Sequence, residues 1–243
     1  MLPRTAALAA LSYLLTAGCA FAQDAAPKEK DWTPLPAAAW HWNNHKKADG
    51  FAKVWTVEAD GTLHHAPGDG SWHQGDLISD DGTYGNFELE LEWKVGKTAN
   101  SGIFYRIKDN QHMPWESGFE HQILDDLGFK DGKADPKHRT GAFYSVIAAS
   151  DQKELKPVGE WNKTRIVADG KHIEHWLNGK CIVKLDLDSP EYKAALAKSE
   201  WRSNTAKGAA PNGFLGLQDH GGEVWYKNIR VRKLEAAPAA KAP

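Results

Sequence analysis

The sequence predicts an all-β domain, an antiparallel sandwich or barrel carrying one short helix, and three observations predict it. In "NFELELEWKV", Phe87, Leu89, Leu91 and Trp93 alternate with Glu88, Glu90, Glu92 and Lys94, which is the period of a half-buried strand. "TRIVADGKHIEHWLNGKCIVKL" runs three strand-like segments through turns at Asp169-Gly170 and Asn178-Gly179, where Asn, Asp and Gly accept the positive φ of a tight hairpin. Only "SPEYKAALAKSEW" has helical spacing, with Ser189 placed to cap and Pro190 suited to the first turn.

The chain opens with "MLPRTAALAALSYLLTAGCAFAQ". Arg4 supplies a positive flank, Ala7 to Ala17 an apolar run, and Ala20-Phe21-Ala22 a small-x-small cleavage site. Residues 1–22 are therefore expected to be an export signal, too short in its apolar part to span a membrane, and the mature protein is expected in the periplasm or outside the cell. Cys19 sits in a lipoprotein-like box, but Thr16 stands where Leu or Val is expected, so a lipid anchor is the lesser alternative. Cleavage after Ala22 leaves Cys181 as the one thiol, so the fold rests on its core and not on a disulfide. Residues 23–30 read as a flexible leader, 31–234 as one domain, and 235–243 as a low-complexity tail.

The 243 residues suit a single domain. A hydrophobic content of 41% supports a packed core, and a net charge of −2 with no basic block gives no footprint for nucleic acid. Eleven tryptophans serve either as core filler or as a surface that stacks on sugars.

Further along the chain, "SGIFYRI" and "FEHQILD" are two more strands. Glu120 and Gln122 share a face, with His121 and Ile123 opposite; Phe104 and Arg106 share a face, with Ile103 and Tyr105 opposite. In "HIEHWLNG", His175 and Leu177 alternate with Glu174 and Trp176. In "GFLGLQDHGG", Leu215 and Leu217 point to the core while Gly216, Gln218 and His220 face the other way. Glycine there admits a close-approaching ligand, and an amide and an imidazole offer hydrogen bonds rather than plain solvent charge. If one sheet curves, its outer face becomes a groove for an extended ligand. The three glutamates of "NFELELEWKV" are expected to be solvent-facing charge.

"NSGIFYR", "EHQILDD", "GAFY", "GEWN" followed by "RIV", "HWLNG" and "GLQDHG" with "VWYKNIRV" occur in this order. Together they resemble the 3-keto-disaccharide hydrolase domain family. The resemblance covers about residues 48–234 and implies a concanavalin A-like antiparallel β-sandwich, or jelly roll. It also implies a 3-keto-glucoside 1,2-lyase activity with hydration of the resulting 3-keto-2-hydroxy-glucal, in sum a hydrolysis. The insertion-like "SEWRSNTAKGAAPN" leaves the leaving group of the substrate open.

From these motifs the candidate catalytic residues are Glu120, His220 and Arg106. The candidate substrate-binding residues are Gln122, Asp125, Tyr144, Trp161, His175 and Gln218. A ketone at carbon 3 acidifies the hydrogen on carbon 2, so a carboxylate or imidazole base suits the first step, and Arg106 is placed to steady an enolate. Whether Glu120 or His220 is the base stays open. A conventional glycosidase needs two carboxylates about 5 to 9.5 Å apart; Glu120 and Asp125 offer such a pair, but the amide of Gln122 between them weakens that reading. A non-catalytic, lectin-like sugar-binding domain is the other alternative. The cofactor is undetermined. Either a divalent metal or protein donors alone could serve the ketone, and His64, His65, His73 and Asp76 form only a loose cluster without the close spacing of a metal motif.

Overall fold

The computed structural model describes residues 31–43, 54–66, 75–108, 113–130, 132, 135–200 and 212–235. The expected signal and leader, His73, most of the insertion-like segment and nearly all of the tail lie outside the described residues. The strands are β1 (Thr33–Pro34), β2 (Trp40–Asn43), β3 (Trp55–Val57), β4 (Leu63–His65), β5 (Asp76–Ser79), β6 (Phe87–Val95), β7 (Asn100–Ile107), β8 (Phe119–Leu124), β9 (Asn162–Asp169), β10 (His172–Leu177), β11 (Lys180–Asp186), β12 (Phe214–Leu217) and β13 (Val224–Lys233). Among the described residues two α-helices join them, α1 (Pro114–Ser117) and α2 (Pro190–Lys198).

The strands form two antiparallel sheets. The larger runs β11-β10-β9-β6-β13-β4-β3, with β1 also on β13; the smaller runs β2-β5-β12-β7-β8. Their inner faces meet in one apolar core. Phe87, Leu89, Leu91 and Trp93 enter it from β6, Ile103 and Tyr105 from β7, Phe119 and Ile123 from β8, and Leu215 and Leu217 from β12. An all-β sandwich follows, as the alternating segments require.

The local chemistry explains the connections. Leu177 pairs with Lys180, so the loop is Asn178-Gly179, and both residues have positive φ (48° and 84°), as a two-residue hairpin of this hand demands. α2 starts where Ser189 Oγ accepts the Tyr192 N–H at 3.1 Å.

The glutamates of β6 are not simply solvated. Glu88 takes Arg165 Nε at 2.9 Å, and Glu90 takes Arg230 Nη2 at 2.8 Å and Lys163 Nζ at 2.9 Å. The outer face of the larger sheet is therefore a cross-strand ion-pair ladder. Burial alone would push the Glu90 carboxyl up, but the bonds from Lys163 and Arg230 more than offset it and hold it below the usual range.

Candidate functional site

A cavity of about 210 Å³ opens on the outer face of the smaller sheet. Asn100, Trp115, Glu120, Gln122, Tyr144, Glu200, Gln218 and His220 line it. Strand alternation puts them there. Ile103 and Phe119 turn inward to the core, so Asn100 on β7 and Glu120 and Gln122 on β8 turn outward. Gln218 and His220 continue the outward register of β12.

The backbone beneath this floor is fully engaged. Gln218 N–H donates to Gly102 O at 2.9 Å, Tyr144 N–H to Glu120 O at 3.1 Å, and Gly141 N–H to Gln122 O at 2.8 Å. The Ser101 hydroxyl donates to Gln218 O at 2.7 Å. Gln122 Oε1 accepts the Ile123 N–H at 2.8 Å, which leaves the amide NH₂ end to serve the cavity. Gly102 faces the same side: a Cβ there would collide with the Glu120 carboxylate. On the wall, Tyr144 stacks on His138 with ring centroids 4.9 Å apart, and His138 Nε2 lies 3.7 Å from Glu200 Oε1. Phe129 meets the His220 ring edge-on at 6.0 Å.

Two amide oxygens of the cavity lining, Asn100 Oδ1 and Gln218 Oε1, are buried without a protein partner among the described residues. Buried amide oxygens are costly to leave unbonded, so these two acceptors define a surface suited to hydroxyl donors.

Of the residues singled out in the sequence, the structure brings Glu120, Gln122, Tyr144, Gln218 and His220 to one cavity. Four others lie elsewhere. Arg106 adopts φ 54°, and the pairing of β7 with β12 slips by one residue, Phe214 opposite Ile107 but Gly216 opposite Phe104. This bulge breaks the alternation that placed Arg106 beside Phe104, and the buried guanidinium donates twice to Gly85 O, at 3.1 and 2.9 Å. Asp125 accepts the N–H groups of Thr98, Leu127 and Gly128 and organises the turn after β8. Trp161 lies on the outer face of the other sheet, with Lys227 Nζ 4.0 Å from its ring centre. His175 is fully buried in the core, where Nε2 lies 2.8 Å from the Tyr105 hydroxyl and Nδ1 3.0 Å from Gly141 O; burial pushes its pKa down to about 4.

The expected opening beside Gly216 is also filled. A Cβ there would meet Ile107 at 3.0 Å, Ile78 at 3.2 Å and Phe104 at 3.3 Å, a small apolar cluster on the outer face. The space beside Gly102 is taken by the Glu120 carboxylate. Asn100, Trp115 and Glu200 were not anticipated as site residues. Asn100 opens the "NSGIFYR" motif and Glu200 falls in the insertion-like "SEWRSNTAKGAAPN", while Trp115 comes from a segment with no pattern of its own.

Among the described residues no group of three or more His, Cys, Asp and Glu is placed to hold a metal ion. His65 and Asp76 serve a different purpose. Asp219 Oδ1 lies 2.9 Å from His65 Nε2, though off the line of a hydrogen bond, and Asp76 Oδ1 accepts the Asp219 N–H at 2.8 Å. Burial pushes the Asp76 carboxyl up to about 7.

The comparisons agree with this architecture. A curated 3-keto-disaccharide hydrolase of Bacteroides thetaiotaomicron is 33% identical over 220 residues, covering 80% of this chain and 74% of that protein. Two crystal structures from Parabacteroides distasonis, both provisionally described as glycosyl hydrolases, superpose with TM-scores of 0.72 and 0.65. They are 27% and 29% identical and cover 86% and 84% of this chain and 99% of each of theirs. A Bacillus subtilis protein of galectin-like fold, 10% identical with a TM-score of 0.50 over 86% of this chain and 91% of its own, shares the fold alone. Residues 32–232 match the family described as the 3-keto-alpha-glucoside-1,2-lyase-like domain, and the chain belongs to that family.

Proposed function

We propose that this protein is a carbohydrate hydrolase that cleaves 3-keto-glycosides by β-elimination across carbons 1 and 2, followed by hydration. The observation that carries the reading is the composition of one cavity: the Glu120 carboxylate, the His220 imidazole and two buried amide acceptors that call for hydroxyl donors.

Glu120 takes the proton from carbon 2, and the electron pair passes into the ketone as an enolate. The amide NH₂ of Gln122 meets the developing charge, the part the sequence had offered to Arg106. As the enolate collapses, the bond from carbon 1 to the leaving oxygen breaks and His220 protonates that oxygen. Water then replaces the leaving group. His220 takes its proton as oxygen bonds to carbon 1, and Glu120 returns a proton to carbon 2. One water is consumed; a 3-keto sugar and the free alcohol are released.

The test is incubation of purified protein with a 3-keto-glucoside and with its unoxidised parent. Consumption of the keto form alone is expected. A second reading has one observation in its favour: Glu120 and Glu200 are two carboxylates in one cavity, the inventory of a conventional glycosidase. Equal turnover of both sugars would favour it, and binding without turnover would favour a lectin-like role. We further propose export to the periplasm, with the mature chain starting at Gln23; N-terminal sequencing that finds a lipidated Cys19 would overturn it.

A further inference from the structure

Asp219 lies in sequence between two cavity residues, Gln218 and His220, yet its own side chain is 1% exposed and turned away from solvent. Two backbone N–H groups bond its carboxylate and an imidazole stands against it. Oδ2 accepts the Gly75 N–H at 3.0 Å, Oδ1 accepts the Gly221 N–H at 3.0 Å, and His65 Nε2 stands 2.9 Å from Oδ1. The other imidazole nitrogen of His65 lies 2.7 Å from Gly222 O. Asp76 binds the Asp219 backbone N–H. Gly222 in turn presses on the start of β7, where a Cβ would come within 2.7 Å of Ala99 Cα. The turn from Gln218 to Gly222 is thus gripped by groups from β4, from β5 and from the residue before it. Burial alone would raise the Asp219 carboxyl, but His65 and the two glycine N–H groups hold it below the usual range, consistent with a charge fixed in place.

We propose that Asp219 is the positioning residue of the site: through the turn it anchors, it holds Gln218 and His220 toward Glu120. The proposal rests on the functional reading above for its kinetic consequence, but not for its structural one. The carboxylate does more than neutralise a charge: it ties Gly221 of the turn to Gly75 ahead of β5, while His65 meets Gly222 O and Asp76 takes the Asp219 N–H of the same turn. Outer partners of this kind commonly affect activity 10- to 100-fold, roughly, when removed.

The experiment uses the full chain and the variants Asp219→Asn and His65→Gln, which loosen the grip from opposite sides; the second stands in if the first does not fold. Two readouts are taken well below each variant's melting temperature. The His220 ring resonance is followed by NMR without substrate, and kcat and KM are measured on a 3-keto-glucoside. The expected result is a broadened or split His220 signal and a fall of roughly 10- to 100-fold in kcat with little change in KM. In a His220→Ala background the same Asp219 change should cost almost nothing further, since the two act as one unit. An unchanged His220 signal and unchanged kcat, with only a lower melting temperature, would overturn the proposal and leave Asp219 a stabilising residue. A perturbed His220 signal in the variants, beside a wild type that turns over no 3-keto-glucoside, would uphold the positioning role and overturn the functional reading instead.

Discussion

Gly102 on β7 leaves the space that the Glu120 carboxylate of β8 occupies. The two residues sit on adjacent strands, with Gly102 paired to Gln122 and Phe104 to Glu120, and any side chain at Gly102 would strike Glu120 first. Gly102→Ala is therefore expected to shift the carboxylate by a fraction of an ångström to an ångström. Misplacement on that scale costs on the order of 100-fold in rate, while overpacking destabilises by about 1–3 kcal/mol. Steady-state kinetics beside a thermal melt checks both. A variant with wild-type kcat would show that Glu120 is not the proton-handling group.

Glu120→Gln and His220→Ala are each expected to lower turnover of a 3-keto-glucoside by roughly 100- to 10,000-fold with the fold intact by circular dichroism. Glu90→Gln is the contrast. Its carboxylate serves Arg230 and Lys163 on the far sheet, so it is expected to leave the rate unchanged but to cost about 1 kcal/mol of stability. Measured rates for all three variants on the same substrate decide the matter.

The buried histidines should make stability fall with acid. His121 and His175 pack with ring centroids 4.7 Å apart in the core. Burial holds His121 well below the ordinary imidazole range and His175 at about 4. Between about pH 6.5 and 4 the unfolded chain binds protons there and the native chain does not, so this contribution is present above 6.5 and is lost on the way down. For His175 it amounts to about 3 kcal/mol. Both His121 ring nitrogens lack a partner among the described residues, so His121→Leu is expected to keep or raise stability at pH 7 and to flatten the acid loss. Denaturant titrations of wild type and variant at pH 7, 6 and 5 test this; a steeper acid loss in the variant would refute it.

Asp76 works in the opposite sense. Its carboxyl is raised to about 7 in the native state, chiefly by burial. Between about 4 and 7 the native chain holds a proton the unfolded chain has released, so its stabilising term is full below the unfolded value and is lost as pH rises through 7. Asp76→Asn keeps an oxygen for the Asp219 N–H and removes the buried charge. It is expected to be more stable than wild type at pH 8, by up to about 4 kcal/mol, with the advantage shrinking toward pH 5. Melting temperatures across that range provide the check.

Much of this was readable in the sequence, for reasons that differ by element. Period-2 alternation placed Glu120 and Gln122 on one face and Leu215 and Leu217 on the other, because these strands are regular and one face is buried. Ser189-Pro190 marked the start of α2, because capping is local chemistry. Arg106 escaped the rule because a bulge at a non-glycine residue leaves no mark in the pattern. His175 and Trp161 lie in motifs that carry the family resemblance, yet one packs in the core and the other stacks under lysines, so membership of a motif did not separate a binding role from a packing one. Gly216 and Gly102 look equivalent in sequence; only the neighbours brought in from β5 and β8 show that an apolar cluster fills the space beside the first and the Glu120 carboxylate the space beside the second.

The chain passes from the smaller sheet to the larger through the short connection between β12 and β13. The same connection carries Gln218, Asp219 and His220, and is gripped by His65 from one sheet and Asp76 from the other. The site is thus stitched into the seam of the sandwich rather than laid on one panel of it. Any loosening of one sheet against the other pulls on that stitch before a strand unravels, so catalysis on heating should fade ahead of the loss of β structure, making the reaction itself a gauge of how well the two panels stay joined.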